Sequence, residues 1–175
     1  MDRDIKVLQN FITNGNYLKI YRDDENNIII DGNVNIYDTE FTKFPVKIHK
    51  VNGTISWHGD TNGLHHGTLE SLENFPDYVS GSVYIYKNPN LKSLKGCPKY
   101  IGGNLQCDRC NISDISDISE YIGNSCILSF NPIKDSTILE KIHIGNMLDV
   151  AETYINLQNV NIVKDSSLIT KYLPD

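Results

Sequence analysis

Apolar residues recur along the chain about every 21 or 22 residues, and each recurrence opens a short alternating segment. With Val79 taken as one such anchor, the residues four and six places further on, Val83 and Ile85, are also apolar. Alternation with a period of two is typical of a β-strand that buries one side. The pattern therefore predicts one short strand in each of about six coils. The anchors are Ile30, Val51, Val79, Ile101, Ile122 and Ile144.

A polar or cysteine side chain follows each predicted strand, nine residues after the anchor. In a leucine-rich repeat, which has the pattern L-x-x-L-x-L-x-x-N/C-x-L, this side chain turns inward and hydrogen-bonds backbone groups that the bend leaves unpaired. A returning segment with spaced leucines, such as Leu91 and Leu94, completes the coil. The residues at this ladder position are Thr39, Asp60, Asn88, Cys110, Asn131 and Thr153.

The segment from Leu91 to Cys107 reads L-x-S-L-x-G-x-P-x-x-I-G-G-x-L-x-C and follows the ladder residue Asn88. It resembles the short leucine-rich-repeat-like proteins of tailed phages and prophages. The likeness is close over residues 79–126 and looser on either side of that range. The resemblance implies a repeat fold, a phage origin and a place of action in the host cytoplasm.

The fold class predicted is a mainly β, leucine-rich-repeat-like solenoid of about six coils of 21–22 residues with a parallel sheet. We expect residues 1–175 to form a single domain. Both ends need covers, because one coil cannot bury its inner face alone. An N-terminal cap (1–29) with a helix that begins at Asp4 and a following hairpin precedes the repeat solenoid (30–153), and a short C-terminal cap (154–175) follows it. The predicted apolar face of the helix is Ile5, Leu8, Phe11 and Ile12.

Length and charge narrow the classes of function. At 175 residues the chain has room for one domain. Sixteen Lys and Arg against 22 Asp and Glu give a net charge of -6, which disfavours binding to nucleic acid. No run approaches the roughly 20 apolar residues of a membrane-spanning helix, so no membrane partner is expected. The first residues lack the pattern of a secretory signal, and we expect a cytoplasmic protein with reduced cysteines.

The four cysteines invite a zinc or redox interpretation, because Cys107 and Cys110 form a C-x-x-C pair with Cys97 and Cys126 nearby. The repeat register offers another explanation. Cys107 and Cys126 fall on inward strand positions, and Cys110 falls on the ladder position, where small thiols pack as apolar side chains. We therefore expect no metal and no cofactor; one zinc per chain in a metal assay would overturn this assignment.

Outward strand positions form the face that solenoids most often use to bind partners. On neighbouring predicted strands this face carries a mixture of aromatic and polar side chains of the kind enriched at protein interfaces. The alternative is that tyrosine simply suits β-strands. The candidate binding residues on this face are Tyr37, His58, Tyr84, Tyr86, Gln106 and Asp108.

A loop of about six extra residues, within 60–68, is the second candidate site, because long loops are often retained for function. It contains Leu64, His65 and His66, which we add to the partner-binding candidates. Together with His58 and Asp60 the two histidines offer an alternative chemistry, a metal site or a proton-transfer group. A solvated polar loop is the simpler interpretation.

Motifs of common enzymes are missing from the sequence: it has no G-x-S-x-G, no phosphate-binding loop and no H-E-x-x-H. We therefore expect a non-enzymatic protein-binding module, acting as a monomer or weak homodimer. The phage resemblance implies that it binds and inhibits or redirects a host protein, such as a defence effector or toxin. One alternative is a structural accessory of the virion or its assembly. Another is a small-ligand or metal-dependent activity at the loop with His58, His65 and His66.

Overall fold

The chain winds into a β-solenoid of about five turns. A computed structural model describes residues 2–12, 18–37, 39–60 and 65–155. Each coil contributes two short strands, one beginning at or just before the anchor and one beginning four residues after it. The elements are helix α1 (Arg3–Phe11), a 3-10 helix (Thr137–Lys141) and the strands β1 (Lys19–Arg22), β2 (Ile28–Asp31), β3 (Val34–Asn35), β4 (Lys50–Asn52), β5 (Ile55–Ser56), β6 (Tyr78–Val79), β7 (Val83–Tyr84), β8 (Tyr100–Ile101), β9 (Leu105–Gln106), β10 (Tyr121–Ile122), β11 (Cys126–Ile127), β12 (His143–Ile144) and β13 (Leu148–Asp149).

Two sheets run along the solenoid. The seven-stranded sheet, called the anchor sheet here, has the order β1-β2-β4-β6-β8-β10-β12; the six-stranded sheet, called the face sheet, has the order β13-β11-β9-β7-β5-β3. Pairing is parallel except between β1 and β2. Val79 pairs with Ile101 and Val83 pairs with Leu105, so the repeat register read from the sequence is confirmed.

The second sheet is the main difference from the sequence-based expectation of one strand per coil. Each anchor is itself part of a strand, together with the residue before it, as in Tyr78–Val79. The inward residues of both sheets pack into one hydrophobic core, in which Ile30, Val83 and Leu105 are fully buried. Strand pairing in the two sheets satisfies backbone N–H and C=O groups on two sides of this core.

The ladder prediction is confirmed at Asn88, Cys110 and Asn131. Asn88 is fully buried; its Nδ2 donates hydrogen bonds to the backbone oxygens of Trp57 and Ile85, at 2.8 and 2.9 Å. Its Oδ1 accepts a hydrogen bond from the backbone N–H of Leu69, at 2.9 Å. Asn131 repeats this pattern in a later coil. The Cys110 thiol donates to the backbone oxygen of Ile85, at 3.2 Å, so a thiol serves at the same position.

The predicted N-terminal helix is confirmed, but Asp2 rather than Asp4 begins it. The Asp2 carboxylate accepts hydrogen bonds from the backbone N–H groups of Asp4 and Ile5, at 2.9 and 3.3 Å. Asp2 has an extended backbone, as an N-cap requires, whereas Asp4 already lies in the first turn. Arg22, from the predicted hairpin, donates to Asp2 and lowers the pKa of that carboxyl to about 2.

The predicted C-terminal cap lies almost entirely outside the described residues, which end at Ile155. The last returning segment departs from the leucine spacing of the earlier coils. There the chain forms the 3-10 helix, and the segment buries Ile133, Leu139 and Ile142.

Four aromatic rings stack along the outer side of the anchor sheet. Neighbouring centroids are 4.7 to 4.8 Å apart and the planes differ by at most 7°. This spacing equals the distance between paired strands, so one ring sits on each strand. The aromatic stack consists of Tyr78, Tyr100, Tyr121 and His143.

Candidate functional site

The centre of the candidate site is His58, which immediately follows strand β5 and Trp57. Its ring stacks on the ring of Tyr86, from the next coil, with centroids 4.2 Å apart and planes within 12°. On the preceding coil, Tyr37 meets His58 edge to face, with centroids 6.4 Å apart. The three rings occupy equivalent positions in three successive coils. The repeat therefore places Tyr37, His58 and Tyr86 side by side, as the sequence predicts.

The hydrogen bonds of His58 define which ring nitrogen accepts. Nδ1 lies 2.8 Å from the backbone oxygen of Gly59, and since a carbonyl only accepts, Nδ1 carries the hydrogen in the neutral ring. Nε2 is then the accepting nitrogen, and it lies 3.5 Å from the hydroxyl oxygen of Tyr86. Burial and the nearby Asp108 carboxylate raise the pKa of Tyr86, so its hydroxyl stays protonated at neutral pH.

Tyr84 and Gln106 lie on adjacent strands of the face sheet and are half-buried. The hydroxyl of Tyr84 accepts a hydrogen bond from Asn104 Nδ2, at 3.4 Å. Hydrogen bonds from Ser82 and Asn104 lower the pKa of this tyrosine. The contacts tie the Tyr84 side chain to the neighbouring strand. The face therefore holds its tyrosines in fixed positions while leaving part of each ring accessible.

Asp108 differs from its predicted role as an exposed binding residue, because it is only 3% exposed. Its carboxylate accepts hydrogen bonds from Gln106 Nε2, at 2.9 Å, and from Arg109 Nη1, at 2.7 Å. The chain bends at this point: Arg109 takes a positive φ of 51°, and its guanidinium covers the ring of Phe130 at 4.6 Å. The bend folds these neighbours over the carboxylate. Asp108 therefore organises the side chains around it and presents little surface of its own.

Part of the inserted loop joins the face sheet to form a cleft of about 540 Å³. The backbone N–H of Asp60 donates to the oxygen of His65 at 2.9 Å, which closes the loop at its base. The cleft thus unites Tyr37 and His58 with His65 and His66, whereas Tyr84, Gln106 and Asp108 lie outside its lining. Leu64 lies outside the described residues.

Glu40 is a lining residue that the sequence-based interpretation missed. It directly follows the ladder residue Thr39, where the chain leaves the face sheet. In the sequence, the one feature that could have predicted a role for Glu40 is its position directly after the ladder residue Thr39. The charge of the cleft therefore depends on a residue that the hydrophobic pattern does not mark.

Within the described ranges, no three His, Cys, Asp or Glu side chains come together as metal ligands would. Cys107 and Cys126 are fully buried on inward strand positions, as the register predicts. Burial raises the pKa of Cys97 to about 11 and that of Cys110 to about 12, so these thiols are neutral at physiological pH. Neutral buried thiols pack as apolar side chains.

Among the helices that the structure describes, none is long and apolar enough to cross a membrane. Comparisons of the chain with protein-family models, with curated proteins and with solved structures gave no match.

Proposed function

We propose that this protein is a non-enzymatic binding module that engages a partner protein through the face sheet and the adjoining cleft. The observation that carries the proposal is the side-by-side array of Tyr37, His58 and Tyr86, whose rings contact one another in three successive coils. Aromatic side chains are enriched at the energetic centres of protein interfaces. Rings already fixed by stacking lose little conformational entropy when a partner binds, which favours affinity.

The proposed partner is a host protein. The support comes from the sequence resemblance to phage repeat proteins, which implies action inside a bacterial host. A binding module without catalysis acts stoichiometrically, by occupying a surface of its target. We accordingly propose inhibition or redirection of a host protein, such as a defence effector or toxin, in the host cytoplasm.

The test is affinity capture from bacterial lysate with the tagged full chain, read by quantitative mass spectrometry. A Tyr84→Ala, Tyr86→Ala double variant removes two rings of the face sheet. The matched control is Tyr154→Ala, because Tyr154 is exposed and follows the last strand of the face sheet, several coils away from Tyr84 and Tyr86. We expect one host protein in near-equal molar amount with the wild type and the control, and a loss of at least about tenfold with the double variant, as hot-spot residues require.

Three results would contradict the proposal. Equal recovery of the partner by the double variant would remove the face sheet from the interface. Recovery of this chain alone, as large assemblies on a sizing column, would favour a structural role in the virion. Capture of no protein, combined with ligand binding that depends on His58, His65 and His66, would favour a small-ligand activity.

A further inference from the structure

The returning segments of successive coils carry charges of alternating sign. Residues 41–49 contain only lysines as charged residues, 69–77 only carboxylates, 91–99 only lysines and 112–120 only carboxylates. The next returning segment, 133–142, contains two of each sign. We call the side of the solenoid formed by the four single-sign segments the charged side. Its charged residues are Lys43 and Lys47; Glu70, Glu73 and Asp77; Lys92, Lys95 and Lys99; and Asp114, Asp117 and Glu120.

The opposite charges stand at equivalent positions of neighbouring coils. The backbone N–H of Lys99 donates to the oxygen of Asp77, at 2.8 Å, so these two residues occupy the same place in their coils. Glu73 and Lys95 occupy the same place four residues earlier, and both are exposed. The charged side therefore presents stripes of opposite charge that run across the solenoid axis, one stripe for each coil.

Ion pairs within the chain use only part of these charges. Glu73 and Asp77 turn towards the preceding coil, where they pair with Lys43 and Lys47. Among the described residues, none forms an ion pair with the three lysines of 91–99. A stripe of three ammonium groups thus faces solvent between two stripes of carboxylates.

A second copy of the chain complements these stripes in one orientation. Two copies that meet through the same side are related by a two-fold axis lying in the contact plane. If the axis followed the solenoid axis, each stripe would face its own copy and like charges would meet, which is unfavourable. An axis along the returning segments, between 69–77 and 91–99, reverses the order of the coils. Each of the four single-sign stripes then faces a stripe of opposite charge.

We infer that the charged side is the contact surface of a homodimer with this second axis. Such an axis keeps the position along a returning segment, so Glu73 faces Lys95 of the second copy and Asp77 faces Lys99 of the second copy. The contact uses no residue of the face sheet or of the cleft lining, so the inference is independent of the proposed function. The dimer leaves both copies of the face sheet free and offers two binding faces to a partner.

The size of the charged side predicts a weak dimer. Four returning segments of nine residues, spaced like paired strands at about 4.8 Å, cover on the order of 500 Å² in each copy. A total of about 1,000 Å² is at the lower end of specific interfaces. Because the contact is made mainly of exposed charges, salt screens it strongly.

The test is sedimentation equilibrium of the full chain at pH 7.5, at about 20 mM and about 500 mM NaCl. At low salt we expect twice the chain mass of 19.8 kDa, with a Kd on the order of 10 μM. At high salt the Kd is expected to rise at least about tenfold.

Two charge-reversed variants test the pairing itself. Lys95→Glu, Lys99→Glu is expected to be monomeric at low salt, because its reversed stripe meets carboxylates of the second copy. Glu73→Lys, Asp77→Lys is expected to be monomeric for the converse reason; the two exposed ion pairs that it removes contribute little to stability. An equimolar mixture of the two variants restores opposite charges at both places and should dimerise within about threefold of the wild-type Kd.

The matched control is Lys134→Glu, Lys141→Glu, which makes the same change in net charge on the returning segment outside the contact. It should dimerise as the wild type does, and circular dichroism verifies the fold of every variant.

The inference is overturned if the wild type stays at the monomer mass up to about 200 μM at low salt. Dimerisation of Lys95→Glu, Lys99→Glu equal to that of the wild type, or an equal loss in the control, would likewise contradict it. So would two folded reversed variants that do not associate when mixed. A monomeric wild type whose captured host protein is lost with Lys95→Glu, Lys99→Glu would assign the charged side to that host protein instead of a second copy.

Discussion

The ladder asparagines stabilise the corners of the coils by hydrogen-bonding to backbone groups in the interior. Asn88 satisfies three backbone groups, the N–H of Leu69 and the oxygens of Trp57 and Ile85. A buried polar group without a partner costs about 1–3 kcal/mol of stability. The main contribution of the Asn88 amide to the free energy of unfolding is therefore that it gives these three backbone groups a hydrogen-bond partner.

Replacing Asn88 by alanine is expected to lower the free energy of unfolding by about 3 kcal/mol, because the three backbone groups lose their partner together. Asn131→Ala should cost a similar amount. The control is Asn111→Ala at an exposed position, for which a change within about 0.5 kcal/mol is expected. Urea unfolding gives all three values. A cost below about 1 kcal/mol for Asn88→Ala would show that water replaces the amide.

The buried thiols make stability sensitive to alkaline pH. Burial raises the pKa of Cys97 to about 11 and that of Cys110 to about 12, whereas a thiol in an unfolded chain has a pKa of about 8.5. Below that value both states hold the thiol proton, and the stability is fully present. As pH rises towards the folded pKa values, only the unfolded state releases protons, and stability is lost.

We therefore expect a free energy of unfolding that is steady from pH 7 to 8 and falls above pH 9. The slope contributed by each thiol approaches about 1.4 kcal/mol per pH unit. Urea unfolding under reducing conditions at successive pH values measures it, and Cys97→Ala should give a shallower fall than the wild type. An equally steep fall in that variant would contradict the role of Cys97.

At the scale of elements, helix α1 closes the N-terminal end of the core. Phe11 packs edge to face against Phe44 and Trp57, with centroids 5.5 and 5.4 Å apart. Leu8 is fully buried beside it. The Asp2 cap and Arg22 of the hairpin fix the start of the helix. The helix and the first coil are therefore stabilised together.

Substitution of Phe11 by alanine is expected to lower the free energy of unfolding by about 3–5 kcal/mol and to loosen the helix from the core. Trp57 is the only tryptophan, so its fluorescence reports this directly. Emission should shift to longer wavelength while the β-sheet circular dichroism persists. Val7→Ala, at a more exposed position of the same helix, should leave the emission unchanged. A red shift with Val7→Ala as well would mean that any change in the helix exposes the core.

The sequence predicts the strand register well, but it does not predict the burial of Asp108 or the formation of the cleft. The register of Val83 and Leu105 follows from hydrophobic spacing alone, because an inward strand position must be apolar in every coil. The burial of Asp108 does not follow from spacing, since it depends on the bend at Arg109. Glu40 and the cleft depend on the path of an inserted loop, and no repeat constrains that path. Spacing therefore predicts the scaffold and the side-by-side rings, but not the cleft.

At the scale of the whole molecule, the solenoid is built from units that contact only their neighbours along the axis. Stability is then approximately a sum of coil and interface contributions. Glycine allows neighbouring coils to approach closely, as at Gly123, where a Cβ would lie 2.2 Å from the backbone oxygen of Gly102. The close approach of backbones there leaves no room for a side chain.

Deletion of one whole coil, residues 101–121, is expected to give a folded, shorter protein, because it joins Tyr100 to Ile122 and restores the repeat. Removal of residues 101–111, about half a coil, joins Tyr100 to Ile112, deletes strand β9 while leaving the returning segment, and should unfold the C-terminal half. Circular dichroism and the dependence of unfolding on urea distinguish the two. Similar folding of both deletions would contradict the register.

The aromatic stack contains one ring for each strand of the anchor sheet from β6 to β12. A duplicated coil would add one ring to this stack and one strand to each sheet, several coils away from the cleft. Duplication of a coil therefore changes the length of the binding face. Changes in the sequence of the inserted loop change which ligand the cleft binds. A lineage with this architecture is able to lengthen its reach without altering its selectivity.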